Sequence, residues 1–314
     1  MKRTSCGGRL FGAAPLRMRC IRILFAGILL CVACGKALPE EGTGERDGYQ
    51  LVWEDGFNGK ELDAGRWTCA EDGWGGGNAE LQYYRPANVS VGRDPSDGRG
   101  CLILTARRES CKGKAFVSGK VHSKGKFSFT YGKIEASIRL PQTADGLWPA
   151  FWLLGADIDT DPWPGCGEID IMEMGHADGI AASTQDRLFN GAAHWGRMDE
   201  SGHPQSAGFR TAPYSLQDGT YHLFTMFWDA DSIRMYLDLD RFPGAEPYFT
   251  MDISGDADPE TGGSFHHDFY VIFNLAVGGT YTGLFDPSQI GALAGDAAAR
   301  MYVDFVKVYQ KKAS

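Results

Sequence analysis

From Tyr49 to Lys311 the chain is a succession of short runs, alternating or rich in β-branched and aromatic residues, punctuated by Gly, Pro, Asn and Asp. A period of two is the mark of half-buried strands, and no stretch carries convincing helical amphipathicity. The runs include Gln50 to Glu54, Cys101 to Arg107, Lys126 to Tyr131, Lys133 to Leu140, Leu147 to Leu154, His222 to Trp228, Ser232 to Leu237, Phe269 to Ala276 and Met301 to Tyr309. So many strands hide their apolar faces by stacking two sheets. The expectation is an all-β, two-sheet antiparallel sandwich of the jelly-roll kind, without internal repeat or second domain.

Parity assigns faces within these runs. Ile134, Ala136, Ile138 and Leu140 point to the core, with Lys133, Glu135, Ser137 and Arg139 opposite. Leu147, Pro149, Phe151 and Leu153 share one face of the next run and Trp148, Ala150 and Trp152 the other. Two indoles flanking a small residue on an open face form a stacking platform for sugar rings. Trp53, Trp67 and Trp228 read instead as core.

Glu168-Ile169-Asp170-Ile171-Met172-Glu173 carries the chemistry. Alternation places Glu168 and Asp170 on one face, but Glu173 is an odd number of residues from Asp170 and would point into the core. A buried unpaired carboxylate is costly. One extra residue absorbed as a β-bulge near Ile171-Met172 restores the parity, and bulges recur beside active sites because they re-aim side chains. Glu168 and Glu173 are then roughly 13 Å apart along the backbone. Leaning together across a concave sheet, their carboxyls approach to roughly 6 Å, which suits a retaining glycosidase better than an inverting one.

Asp157, Asp159, Asp161 and Glu168 imitate the spacing of an EF-hand loop. Pro162 stands where that loop needs Gly, and strands flank it, so the imitation fails. Beyond residue 34 the chain has 25 basic and 40 acidic residues, a balance that excludes nucleic acid and anionic lipid as partners and suits an uncharged ligand.

Residues 1–34 hold six basic residues and no acids, with a short apolar region from Ile21 to Ala33. This reads as a secretory signal peptide, with Met18 as an alternative start. Small residues before Cys34 resemble a bacterial lipoprotein cleavage box. Lipidation of Cys34 would tether an exported protein to a membrane of the cell envelope without inserting the fold. Residues 35–48 read as a flexible polar linker, and residues 49–314 as the catalytic domain. Cys69, Cys101, Cys111 and Cys166 allow three pairings, and their spacing excludes a zinc site.

The acidic strand, preceded by Trp163-Pro164-Gly165-Cys166-Gly167, resembles that of glycoside hydrolase family 16, in its bacterial laminarinase-like branch with the inserted bulge residue. Asn78 to Tyr84, Lys124 to Phe127, Gly146 to Trp152, His194 to Gly196, Asn274 to Gly279 and Met301 to Asp304 agree in order and spacing. The resemblance implies a concanavalin-like sandwich with a concave substrate cleft. It implies Glu168 as nucleophile, Glu173 as general acid/base and Asp170 as helper between them, with no cofactor required for catalysis. It places His194 and Trp195 in the cleft near the acid/base, and Asn78 and Glu80 on a loop touching the non-reducing-side sugar, where Ala79 replaces a common second Asn. A structural calcium is implied at Asp304, with Glu54 as a further ligand. The reading is a monomeric, exported, retaining endo-β-1,3-glucanase acting on laminarin-type or mixed-linkage β-1,3/1,4-glucans. Rival readings are a family relative acting on another polysaccharide such as agar-type galactan, and a non-catalytic glycan-binding lipoprotein.

Overall fold

The computed structural model describes residues 48–200, 202–255 and 263–312. The leader with Cys34, and all of the linker but Gly48, lie outside the described residues. The larger of two sheets runs Phe249–Asp252, Ser232–Leu237, His222–Trp228, Gly132–Arg139, Ala298–Lys311, Gly100–Cys111, Lys114–Ser118 and Gln82–Tyr84. Tyr49–Asp55 joins it beside Ala298–Lys311, and Val89–Arg93 beside Gly100–Cys111. The second sheet runs Gln205–Thr211, Leu188–His194, Glu168–Met174, Leu147–Gly155, Phe269–Val277, Lys120–His122 and Thr68–Cys69. Pairing is antiparallel except for Gln82–Tyr84 against Lys114–Ser118. This is the two-sheet sandwich that the alternation implies.

The core lies between the sheets. Ile134, Ala136 and Ile138 enter it from the larger sheet, together with Leu102, Leu104, Met226, Val306 and Val308. Phe151, Leu153, Ile169, Ile171, Val271 and Phe273 enter from the smaller one. Phe151 and Phe273 are neighbours in register and stack with centroids 4.7 Å apart. On the far side of the Gly132–Arg139 strand, Lys133 and Glu135 pair at 2.8 Å, and Tyr309 donates to Glu135 at 2.9 Å. The parity reading of both runs holds.

Lys126 to Tyr131 forms no strand, only a single bridge from Phe129 to Phe269. Its aromatic residues serve packing instead: Phe127 stacks on Trp53 at 4.3 Å and Phe129 meets Trp228 edge-on. A turn held by backbone bonds from Lys126 and Phe127 to Ser123 O takes the place of the ladder. The strands Leu188–His194 and Gln205–Thr211 were not among the runs read from sequence, because Gly191 and Gly208, facing each other in register, interrupt the β-rich pattern. The one α-helix among the described residues is Ala177–Ala182.

All four cysteines of the domain are free, so none of the three sequence-allowed pairings is made. Burial raises the thiols of Cys101 and Cys166 to about 11 and about 12. The EF-hand imitation has dispersed: Asp157 faces His267, Asp159 pairs with Lys124, and Asp161 pairs with Arg197.

Truncating Phe151 to Ala removes the central ring between the sheets. Urea unfolding should show a loss of about 3–5 kcal/mol, the usual range for a fully buried phenylalanine. A loss below 1 kcal/mol would mean that the ring is not central to the core.

Candidate active site

Register shows how the strand aims its acids. Opposite the Leu188–His194 strand, Glu168 faces His194, Asp170 faces Ala192 and Glu173 faces Asn190. Three steps along the acidic strand match two along its partner, so one extra residue is absorbed between Asp170 and Glu173. The same shift appears against the other neighbour, where Asp170 faces Trp152 and Glu173 faces Ala150. This is the bulge that parity required. Ile171 and Met172 are both fully buried, while Glu173 turns to the face that holds Glu168 and Asp170. The Tyr248 hydroxyl donates to Ile171 O, so the irregular ladder leaves that carbonyl satisfied.

Glu173 is held at both oxygens. Trp148 Nε1 donates to Oε1 and Asn190 Nδ2 to Oε2, each at 2.9 Å. Asn190 is itself oriented by the Tyr281 hydroxyl at 2.5 Å, and Tyr281 stacks on Trp148 with centroids 4.6 Å apart. Burial raises the proton affinity of Glu173, and the Asn190 bond is the largest opposing influence. Trp148 is therefore no open platform: it is buried, and its ring is covered by Tyr281.

Around the other acids, His194 Nε2 lies 3.2 Å from Asp170 Oδ2 and 3.9 Å from Glu168 Oε1. The shorter contact lacks hydrogen-bond alignment. Burial, then the negative charge of Asp170, pushes Glu168 up to about 8, against the pull of His194 and Lys120. Asp170 is raised well above the usual range by burial and by Glu173. Three carboxyls in one dry patch cannot all ionise at ordinary pH, so the trio holds protons into the neutral range.

Glu168, Asp170 and His194 are also the one group among the described residues whose donor atoms come within 4.8 Å of one another. The raised proton affinity of the two acids makes protons their counter-charge, so the spacing alone does not make a metal site. The calcium expectation fares worse. Asp304, the extra residue of a bulge between Val303 and Phe305, is engaged by Arg99 Nη1 at 2.6 Å, and Glu54 approaches Lys307 at 3.9 Å. Basic side chains stand where a cation would need oxygen.

Trp152 lies on the acids' side of the sheet, half-buried, with Nε1 donating to Asn274 Oδ1 at 2.6 Å. Asn274 Nδ2 in turn meets the Tyr84 hydroxyl at 3.2 Å, and Tyr84 donates to Glu80 at 3.2 Å. Glu80 also accepts from Gln82 Nε2 and is buried. Both bonds fall on Oε2, which thus anchors a chain that orients Trp152. Asn78 stays partly open, tied to Thr280 through its backbone oxygen and its side chain. Ala79 sits at φ 56, a left-handed conformation that Asn adopts more readily than Ala.

Trp195 is the clear correction. His194 faces Glu168, so its neighbour in the chain points through the sheet, where Trp195 is 8% exposed and packs edge-on against Phe265 in the core. Residues missed from sequence are Asn190, Asn274, Tyr281, Lys120 and His203. Asn190 was within reach of parity, lying four residues from His194 on the same face. Lys120 places its ammonium 4.9 Å from the Trp152 ring, its proton affinity lowered by burial.

A fold of two such sheets with these acids on one bulged strand has relatives. The model of glycosyl hydrolases family 16 matches residues 83–242. The chain belongs to that family. A family 16 hydrolase of the Bacteroides ovatus mixed-linkage glucan locus, solved with a G4G4G3G product, is 41% identical, with TM-score 0.71, covering 82% of this chain and 99% of that one. The β-glucanase of Rhodothermus marinus is 31% identical over 90% of this chain and 93% of its own length. Glucan endo-1,3-β-glucosidase A1 of Niallia circulans is also 31% identical, but the chain spans only 38% of its length.

In an Asn190→Ala variant Glu173 loses the bond that most favours its ionised form. Carbon-13 NMR of the Glu173 carboxyl should then show titration moved to higher pH. An unchanged or lower midpoint would remove Asn190 from the control of this proton.

Proposed function

We propose that this family 16 hydrolase is a retaining endo-β-1,3-glucanase, cutting internal bonds of laminarin-type or mixed-linkage β-1,3/1,4-glucans. The observation that carries the reading is the bulge that puts Glu168, Asp170 and Glu173 on one face, with Glu173 gripped by Trp148 and Asn190. Relatives named for glucan hydrolysis, and a product-bound neighbour, support the substrate class. A half-buried Trp152 offers an aromatic face to a sugar ring beside the acids.

Glu168 attacks the anomeric carbon while Glu173 donates its proton to the departing glycosidic oxygen, leaving a glycosyl ester on Glu168. Glu173, now ionised, takes a proton from water, which attacks the ester from the face the leaving group vacated. Glu168 departs as carboxylate, Glu173 is protonated again, and configuration is retained. Lys120 and His194 oppose the rise in proton affinity that burial and Asp170 impose on Glu168, and so favour the carboxylate that the first displacement needs. Burial and Glu173 raise the proton affinity of Asp170 well above the usual range, and a proton on Asp170 relieves the repulsion it exerts on Glu168.

Glu168→Gln should lower kcat by on the order of 10⁴ or more while oligosaccharide binding persists. A family 16 glycan-binding protein would show no hydrolysis in either form. Product profiles on laminarin, barley mixed-linkage glucan and agarose decide among substrates; cleavage of agarose alone would overturn the glucan assignment.

The pH profile has a defined direction. Rate rises as Glu168 loses its proton and falls as Glu173 loses its own. Both affinities are raised, so the optimum should lie above the range set by ordinary carboxyls, and an optimum below pH 4.5 would contradict this account.

Export through the leader and lipidation of Cys34 complete the proposal, with the domain working as a monomer. Cys34→Ala should move the protein from the membrane fraction to the soluble one. Equal membrane retention of both forms would reject the anchor.

A further inference from the structure

His194 has a neighbour on each ring nitrogen, and one of the two lies outside the acid trio. Its Nδ1 is 2.8 Å from Nε2 of His203, on the turn that joins Leu188–His194 to Gln205–Thr211. His203 is set in place by Trp163, whose ring meets it at 64° with centroids 4.5 Å apart. A contact of that length between two imidazoles holds a single proton, one nitrogen donating and the other accepting.

The charges around the pair decide which. From the acidic strand, Glu168 and Asp170 face His194, and Glu173 lies within reach of its charge. From the turn and the loop of Trp163 come Arg197 and Asp161, engaged with each other at 2.5 Å. Every carboxylate of the trio is on the His194 side. A shared positive charge is therefore most stable there, and His203 is left as the neutral acceptor. Burial, then the charge of His194, holds the proton affinity of His203 below the ordinary value, in the same sense.

We infer that His203 is a positioning residue: by accepting Nδ1–H of His194 it favours the cationic imidazole beside Glu168 and Asp170, and so eases the ionisation of Glu168. The inference rests on the proposed hydrolysis and names a control on its nucleophile. The role needs only an acceptor at this position. Glutamine supplies one through its carbonyl oxygen, whereas phenylalanine keeps the ring and packing against Trp163 without it.

The test compares the full chain with its His203→Phe and His203→Gln variants in two measurements. Nitrogen-15 NMR of His194 should show its titration moved to lower pH in His203→Phe and restored toward wild type in His203→Gln. On laminarin or mixed-linkage glucan, His203→Phe should lose about tenfold in kcat on the acid side of the profile, with KM unchanged, the size of one charge-assisted hydrogen bond. His203→Gln should recover most of that loss. A His194 titration indifferent to both variants would overturn the inference, as would equal losses in both variants at every pH. If wild type cut no glucan, the proposed function would fail, and the NMR titration alone would still judge the His203–His194 bond.

Discussion

One extra residue between Asp170 and Glu173 is the constraint on which the rest depends. With strict pleating Glu173 would enter a core lined by Phe151, Ile169 and Ile171, where an ionisable group has no water and no partner. With the bulge, that direction goes to Ile171 and Met172, and three carboxyls gather on one face. The neighbouring strands are shaped to accept the irregularity. Tyr248 satisfies the carbonyl at the bulge, and Asn190 arrives in register to grip the re-aimed carboxylate.

Gathering acids is unfavourable, and the site is arranged around that cost. Burial raises all three proton affinities, and mutual repulsion adds to the effect at Glu168 and Asp170. Catalysis by double displacement needs that asymmetry, one acid ionised beside one that keeps its proton. Their surroundings differ: Glu173 accepts from Trp148 and Asn190, whereas Glu168 has His194 at 3.9 Å and feels the charge of Lys120. Aromatic rings then do two jobs that composition alone does not separate: Tyr281 and Trp148 stack to fix a donor, and Trp152 stays half-buried beside the acids with its N–H held by Asn274.

Alternation made the sandwich legible, and it made the bulge legible because a carboxylate of wrong parity has no other reasonable place. His194 was legible through resemblance, and register put it opposite Glu168. Trp195 was misplaced although parity held the answer, since adjacent residues of a strand cannot both face the cleft. Trp148 and Glu80 lie near the expected region, but their partners decide their use. Tyr281 and Tyr84 come from distant segments, and no local pattern announces them. The partner of Asp304 was hidden for the same reason, because Arg99 is 205 residues away in the chain. The glycines at 191 and 208, paired across two strands, hid those strands from a reading based on β-branched residues.

The most direct measurement is to trap the glycosyl-enzyme. A 2-deoxy-2-fluoro-β-glucan oligosaccharide with a dinitrophenyl leaving group slows both displacements yet lets the first proceed, so the ester accumulates. Peptide mass spectrometry after brief digestion should find one glycosyl adduct, on Glu168, absent from Glu168→Gln. An adduct on Glu173 or Asp170, or full turnover with inverted configuration and no adduct, would contradict the account.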